Sequence, residues 1–357
     1  MRSPRHSHAS RLGLLLVGAL GIAAACSGGD SSSATSVSPT AAATTEPSTT
    51  VADTTTTEAT TTTTEAPKPK WPLTGLVADD PSLLTRPAVI VKVGNYDRHP
   101  QRGTNSADIV VEEIINDNIP RFAMVFHSTA TKQVGPIRSG RLQDVNLFTS
   151  YNRPVFAWSG GNATVVKEIR ASELYDLSQS KCQGTCYRGT DDKAPYNLFF
   201  NVEKVFALTL EGVGTPPPQF TFRSSTDPLL GVPSPGVDLN MEAYEIEWNW
   251  DASTGLYQRR QNGSSDKDWN GDLVTTHNVV ILAMDYKNGV SGSPDAQSIG
   301  TGEAFIFTGG NYIHGTWSRD DNHQPFTLVD DSGAPILLTP GRTFVELPRR
   351  DKTVPKV

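Results

Sequence analysis

Hydrophobic and polar positions divide the chain into three stretches. The first is an uninterrupted apolar run from Leu12 to Ile22. A long polar stretch follows as far as Lys70, in which Val37 and Val51 are the only larger aliphatic residues. From Trp71 onward, apolar residues recur with the periods of strands and helices, which predicts that the folded part of the chain begins there.

In the first half of the folded part, β-branched apolar runs alternate with segments of helical spacing. The apolar runs predict strands over residues 88–93, 109–115, 121–127 and 155–158. The helical spacing predicts helices over residues 139–151, 163–170 and 201–208. Strands that alternate with helices favour an α/β lobe with a mixed sheet, which we assign to residues 71–212.

A proline- and glycine-rich stretch, residues 213–236, excludes long helices and is predicted to link this lobe to a second one. Beyond it, short alternating runs are separated by turn residues such as Asn270-Gly271. This pattern predicts a C-terminal lobe of predominantly antiparallel β structure over residues 237–350, followed by a tail at 351–357. The chain as a whole is therefore predicted to have an α+β fold.

The amino-terminal residues have the arrangement of a secretory signal. Arginines precede the apolar run, and three alanines lead up to Cys26. The run is shorter than the roughly 20 apolar residues that cross a bilayer. We interpret residues 1–25 as a lipoprotein signal peptide and expect Cys26 to carry lipid, including palmitate. An ordinary signal peptide followed by a chance cysteine is the alternative, and Ala23 departs from the leucine more common at that position.

Residues 26–70 are predicted to form a disordered stalk behind the lipidated cysteine. They consist almost wholly of Ser, Thr, Ala, Pro and Glu. Such a composition cannot bury enough apolar surface to offset the entropy of the chain. We therefore expect an extracytoplasmic protein, anchored by lipid to the outer face of the cell membrane, with a folded part that stands away from the bilayer.

Charge and composition narrow the range of partners. The formal net charge is −7, and no block of basic residues occurs. Nucleic acid is therefore not an expected partner, and the lipid is the only membrane contact that we predict. No sequence pattern indicates a cofactor, so none is expected.

Two further cysteines, Cys182 and Cys186, flank a short glycine-containing segment. In an oxidising compartment, this arrangement favours a disulfide. A metal site is the alternative, but no second pair of Cys or His residues lies nearby in the sequence.

Several blocks of the folded part resemble the YerB-like lipoproteins, a bacterial family that contains the domain of unknown function 3048. One block, residues 193–198, has Tyr196 where the family pattern leads us to expect His. The resemblance implies a surface-anchored protein with two lobes, and it brings no established activity or site residue with it. The matching blocks are residues 72–75, 86–87, 106–110, 120–122, 135–141, 193–198, 257–259, 277–280, 315–318 and 338–341.

The segment Gly135 to Arg141 is the best candidate for a binding site. Ser139 is predicted to cap the helix that follows, which would place Arg138 and Arg141 at a helix N-terminus, where anions are favoured. Paired guanidinium groups suit a carboxylate or a phosphate. The alternative is that both arginines form internal ion pairs with Asp108, Glu112, Glu113 or Asp144.

Three residues of a later loop are expected to join the same cleft. They are Arg188, Lys193 and Asn197. Loops on a rigid scaffold commonly carry binding residues, and these three side chains would add charge and hydrogen-bonding capacity.

Two carboxylates, Asp108 and Glu113, are candidates for a general base. Glu112 and Glu113 are adjacent in a predicted strand, so their side chains should point to opposite faces of the sheet. At most one of the two can therefore join Asp108 in a single site, as glycoside hydrolysis would require. A structural ion pair with Arg138 or Arg141 is the interpretation that we favour.

A weak calcium-like stretch contains Asp266, Asp268 and Asn270. Position twelve of such a loop would be His277, where calcium loops need a bidentate Glu. Asn270-Gly271 is also a strong hairpin signal, and we favour the hairpin. No other pattern indicates a metal site.

Three hypotheses for the function follow. The first is a non-catalytic envelope module that binds a polar or acidic ligand, such as a wall fragment or a peptide. The second is an envelope hydrolase with a carboxylate as its general base. The third is a scaffold that docks onto another envelope protein.

Overall fold

The folded part of the chain begins where the hydrophobic periodicity begins. The computed structural model describes residues 68–96 and 98–356. The predicted signal peptide, Cys26 and nearly all of the predicted stalk lie outside the described residues. No helix among the described residues is long and apolar enough to cross a membrane.

The described residues form short helices and many strands. The helices are α1 (Gln143–Phe148), α2 (Ala163–Ala171) and α3 (Val202–Phe206). The strands are β1 (Val89–Gly94), β2 (Ile109–Ile114), β3 (Pro120–Phe126), β4 (Val155–Ala157), β5 (Tyr175–Asp176), β6 (Cys186–Arg188), β7 (Leu198–Phe200), β8 (Val232–Pro233), β9 (Gly236–Asn240), β10 (Glu245–Asp251), β11 (Leu256–Gln261), β12 (Ser264–Ser265), β13 (Thr275–Thr276), β14 (Asn278–Leu282), β15 (Tyr286–Asn288), β16 (Pro294–Ala296), β17 (Gly300–Thr308), β18 (Asn311–Arg319), β19 (Thr327–Asp330), β20 (Thr343–Leu347) and β21 (Thr353–Lys356).

An 11-stranded mixed sheet forms the centre of the fold. Its order is β19-β18-β17-β14-β20-β2-β3-β1-β4-β5, and β8 pairs with β18 off this path. Strand β20 lies between β14 and β2 and is parallel to both. Strands from both predicted lobes therefore lie side by side in one sheet, and the boundaries that we assigned to the lobes stay predictions.

Each strand at the centre of this sheet sends alternate side chains to two hydrophobic layers, as strand geometry requires. On β1, Val89, Val91 and Val93 enter one layer and Ile90 enters the other. The first layer includes side chains of a second, 6-stranded antiparallel sheet, which contains β9 to β13 and β21. The second layer includes side chains of α1 and α2. The central strands are consequently buried on both faces.

The predicted α+β class is confirmed: the 11-stranded sheet is mixed, and the 6-stranded sheet of the C-terminal part is antiparallel. The disulfide between Cys182 and Cys186 is confirmed as well. The hairpin favoured at Asn270-Gly271 is present: Lys267 and Leu273 form an antiparallel bridge, and Gly271 N–H donates to Asp268 O at 2.9 Å.

The helix predicted over residues 139–151 is wrong at its start. It begins at Gln143, and Ser139 does not cap it; the residue at the cap position is Leu142, with no side-chain hydrogen bond. The reason is tertiary. Val93 and Ile137 form an antiparallel bridge beside β1, and Gly140 N–H donates to Gly160 O at 3.1 Å, so residues just before Gln143 are held outside the helix.

Candidate functional site

The segment from Gly135 to Arg141, here called the arginine arm, lies between β1 and the loop after β4. Arg138 N–H donates to Lys92 O at 2.8 Å, and Arg138 O accepts from Ser159 N–H at 3.0 Å. Gly140 N–H donates to Gly160 O at 3.1 Å. Because these bonds hold the backbone of the arm on two sides, the positions of its arginines are set by the sheet.

Gly140 is required for this close approach. A Cβ atom at this position would come within 2.8 Å of Ile169 Cδ1 and 2.9 Å of Trp158 Cε3. Both contacts are shorter than van der Waals packing permits. A larger residue would therefore require the arm, Trp158 or Ile169 to shift.

A third arginine, Arg121, lies behind the arm. Its position in the sequence did not identify it as a site residue. It is only 8% exposed, and its Nη1 donates to Ser139 O at 3.0 Å. Burial and then the positive charges of Arg141 and Arg138 lower the pKa of Arg121 to about 10, while the neighbouring Tyr96 hydroxyl opposes the shift. Arg121, Arg138 and Arg141 together form what we call the arginine cluster.

The guanidinium groups of the arginine cluster form no ion pair among the described residues; Arg141 meets Asp144 only through its backbone N–H, which donates to Asp144 Oδ2 at 2.6 Å. Arg138 packs on the rings of Tyr96 and Tyr196, with its Cζ at 5.2 and 5.3 Å from the ring centroids. Arg141 Nη1 donates to Gly140 O at 2.8 Å. The alternative of internal ion pairs with nearby carboxylates is therefore wrong for the described part of the chain.

Two guanidinium nitrogens of the cluster lack hydrogen-bond partners. Nε of Arg121 and Nε of Arg141 are buried and meet no acceptor in the described residues. Buried donors are almost always satisfied in proteins, and an unsatisfied one is costly. Together with the concentrated positive charge, these donors favour an incoming anion.

A polar cleft of about 300 Å³ opens beside Arg141, the member of the arginine cluster that lines it. Ser139 and Arg141 line one wall, and Asp295 lies in the segment that forms the other. Asn116 and Asn162 also line the cleft, and the amide nitrogens of both donate to Ser291, at 3.4 and 3.1 Å. The cleft therefore offers a cation, an acid and neutral hydrogen-bonding groups in a small volume.

The later loop reaches the other side of the arm rather than this cleft. Arg138 Nη1 donates to Pro195 O at 3.4 Å, which brings the loop beside Arg138. Arg188 Nη1 donates to Asn197 Oδ1 at 2.8 Å, and the Lys193 side chain is exposed. None of Arg188, Lys193 and Asn197 is among the described residues that line the cleft.

Asp108 lies away from the cleft and is used internally. It is buried and accepts hydrogen bonds from the backbone N–H of His127 and of Ser128 and from the Ser128 hydroxyl. Burial raises the pKa of Asp108, and these hydrogen bonds oppose the shift. Asp108 thus holds the chain after β3 in place through these hydrogen bonds.

Glu112 and Glu113 point to opposite faces of the sheet, as strand geometry predicted. Glu113 is buried in an ion pair with Lys92, which also lies 3.0 Å from Asp144 Oδ1. Burial, and then the charge of Asp144, raises the pKa of Glu113 to about 7. The ion pair favoured for Glu113 is real, but its partner is Lys92 and not Arg138 or Arg141.

A second buried network, missed from the sequence, lies on the opposite face around Arg259. Arg259 Nη2 is 2.7 Å from Glu112 Oε2, and its Nη1 pairs with Asp266. Glu346 Oε1 lies 3.9 Å from Arg259 Nε and accepts from Trp248 Nε1 at 2.9 Å. Burial and the charge of Glu112 raise the pKa of Glu346. This network joins the central sheet to the second sheet.

The calcium-like stretch is accounted for by other contacts. Asp266 pairs with Arg259, and Asp268 Oδ1 accepts from Asn270 N–H at 2.8 Å within the hairpin. Within residues 68–96 and 98–356, no group of three or more His, Cys, Asp or Glu side chains is placed to hold a metal ion.

Two family models match the chain in succession. The N-terminal domain of the "Protein of unknown function (DUF3048)" family matches residues 73–213, and the C-terminal domain of the same family matches residues 237–345. The chain belongs to this family. The predicted resemblance is thereby confirmed, and the family brings no known activity with it.

A crystal structure is known for a relative of this chain. The chain is 25% identical over 299 residues to the Bacillus subtilis (strain 168) protein named "Putative lipoprotein YerB", a match that covers 79% of this chain and 87% of that protein. The crystal structure of the Bacillus subtilis YerB protein superposes with a TM-score of 0.70 at 24% identity. That match covers 81% of this chain and 100% of the other, and it shows a shared fold.

Proposed function

We propose that this protein is a lipoprotein of the cell envelope that binds an anionic group of a small ligand in the cleft beside the arginine cluster. The observation that carries the proposal is that the guanidinium groups of Arg121, Arg138 and Arg141 form no ion pair among the described residues. A protein that places three guanidinium groups together destabilises itself unless an anion joins them. A carboxylate or phosphate matches the geometry of guanidinium donors.

The location follows from the amino-terminal sequence and from the name of the relative. Arginines, an apolar run and Cys26 have the order of a lipoprotein signal, and the related Bacillus subtilis protein is itself named as a lipoprotein. We therefore place the lipid on Cys26 and the folded part on the outer face of the cell membrane. Cys26→Ala is expected to release the protein from the membrane fraction into the soluble extracytoplasmic fraction.

Calorimetric titration of the purified full chain in detergent micelles tests the binding proposal. Cell-wall peptides with free carboxylates are expected to bind to the native protein, and their fully amidated forms are expected to bind at least tenfold more weakly. Arg141→Gln should lose the carboxylate ligands, because it removes the guanidinium that lines the cleft. Arg350→Gln is the matched control, since Arg350 forms an exposed pair with Asp285 at 2.7 Å.

The same titration separates the three functional hypotheses. Binding without chemical change supports the binding module. Cleavage of the peptide during the titration would support the hydrolase instead. If native protein shows neither binding nor cleavage, the proposed function is wrong and the scaffold hypothesis gains.

A further inference from the structure

The wall of the cleft opposite the arginine arm contains an acidic residue, Asp295. We propose that the ligand group is zwitterionic, an amino-acid-like end of a peptide whose carboxylate contacts Arg141 and whose ammonium contacts Asp295. This inference rests on the proposed function and specifies the ligand class of the same cleft.

The acidic wall is fastened to the rest of the cleft. Asp295 belongs to β16, which pairs with β15 in a hairpin. The adjacent Ala296 N–H donates to Gln143 Oε1 at 2.7 Å, and Gln143 Nε2 donates to Ile114 O at 3.2 Å. Gln143 is 1% exposed, so this link between the hairpin, α1 and β2 is buried. The position of Asp295 is thus set by the same core that positions the arginine arm.

Asp295 has no ion pair among the described residues. Its carboxylate accepts a hydrogen bond from Gln297 Nε2 at 3.2 Å. Lys287 is its register partner on β15 but does not come within ion-pair distance. Partial burial raises the pKa of Asp295, and the hydrogen bond from Gln297 and then the charge of Lys287 oppose the rise. A half-buried carboxylate without an ion pair is the counterpart of the unpartnered guanidinium nitrogens of Arg121 and Arg141.

Simpler ligands leave one of these two charges uncompensated. A phosphate or a second carboxylate would be repelled by Asp295, and an uncharged sugar would leave the arginine cluster without an anion. A ligand with a carboxylate and an ammonium compensates both sides at once. The volume of about 300 Å³ lies at the small end of ligand sites, which suits one or two amino-acid residues.

Calorimetry with the full chain and alanylalanine, in L and D forms, tests the inference. Two capped probes accompany it: N-acetyl-alanylalanine, which keeps the carboxylate alone, and alanylalaninamide, which keeps the ammonium alone. Inorganic phosphate is the anion probe. We expect the better-bound stereoisomer of alanylalanine to bind at least tenfold more tightly than any of the other three compounds.

The variant that isolates the acid is Asp295→Asn. It should bind alanylalanine and its N-acetyl form with equal affinity, because the amide no longer distinguishes an ammonium from an acetylated nitrogen. The matched control is Asp285→Asn, an exposed carboxylate outside the cleft that should leave the preference unchanged. Circular dichroism melting confirms that both variants are folded.

The outcomes separate this inference from the function on which it rests. If the N-acetyl form binds to native protein as tightly as alanylalanine, or if Asp295→Asn keeps the tenfold preference, the zwitterionic ligand is wrong while anion binding stands. If native protein binds neither carboxylate probe nor phosphate, anion binding fails and the zwitterion fails with it.

Discussion

Two buried arginines in this protein have opposite surroundings. Arg259 is fully buried and is surrounded by Glu112, Asp266 and Glu346; burial alone would lower its pKa, but these carboxylates raise it overall. Arg121 is almost as buried, yet its charged neighbours are two further arginines, and its pKa is lowered. A buried cation with internal acids serves the fold. For the buried cation among other cations, we propose that the partner is an anion from outside.

The largest expected effect comes from removing Arg259, the arginine that serves the fold. Arg259→Met leaves carboxylates buried without their cation, and loss of one partner from a buried ionic network costs about 3–5 kcal/mol. We expect the free energy of unfolding in urea at pH 7 to fall by this amount. Arg260→Met is the matched control, because Arg260 is 37% exposed and pairs with Glu247 at 3.4 Å.

The unfolding free energy of the Arg260→Met control should fall by less than about 1 kcal/mol, because exposed ion pairs contribute little to stability. Equal stability losses for the two variants would show that the buried network around Arg259 does not hold the sheets together. In that case the contrast between the two arginines would have no energetic basis.

The second prediction concerns the arginine assigned to function. Arg121→Met removes a charged hydrogen bond to Ser139 O, worth about 1.5–3 kcal/mol, but it also removes repulsion from Arg138 and Arg141, which offsets much of the loss. We expect the unfolding free energy to change by less than about 1 kcal/mol, while affinity for a carboxylate ligand falls at least tenfold. Urea unfolding and calorimetry measure the two effects. A stability loss as large as that of Arg259→Met would mean that Arg121 is structural.

The smallest expected effect is a pH dependence of stability that comes from Glu113. Burial raises the pKa of this carboxyl to about 7. The folded protein then holds this proton at a pH where the unfolded chain, near the ordinary value of 4.5, has lost it. This contribution to stability is complete below pH 4.5 and is lost as the pH rises to about 7. Buried His127, with its pKa lowered by burial to about 4, contributes the opposite slope.

Glu113→Gln isolates the first of these slopes, because His127 is the same in both proteins. The melting temperature of the variant, measured relative to the native protein, should rise as the pH goes from 4.5 to 7 and stay constant above it. A difference that is independent of pH over this window would show that Glu113 is ionised throughout, in a simple pair with Lys92.

Much of the sheet could be predicted because its local pattern agrees with its tertiary environment. Residues 109–114 are β-branched or apolar at most positions, and the strand is buried on both faces. The start of α1 could not be predicted, since residues 139–142 were included in the helical spacing, whereas long-range bonds from Arg121 to Ser139 O and from Gly140 N–H to Gly160 O hold this segment outside the helix. Helical propensity is weak compared with such tertiary contacts.

The candidate site could be predicted only in part for a similar reason. Arg138 and Arg141 stand close together in the sequence and were identified from it. Arg121 reaches them through the strand register, where it pairs with Gly94 of β1, and Asp295 arrives from a distant hairpin. One signal was present for the buried ionic groups: Lys92 interrupts an otherwise apolar strand, and a cation in such a run requires a buried partner.

The most direct test of the account follows the arginine side chains themselves. Nitrogen-15 NMR of the Nε–H groups should be recorded on full-length protein in micelles, with assignments from Arg121→Met, Arg141→Gln and Arg259→Met, while alanylalanine is added. We predict that the signals of Arg121 and Arg141 shift on titration and that the signal of Arg259, whose partners are internal, stays in place. Unchanged Arg121 and Arg141 signals at saturating peptide and phosphate would contradict the claim that the arginine cluster binds an anion.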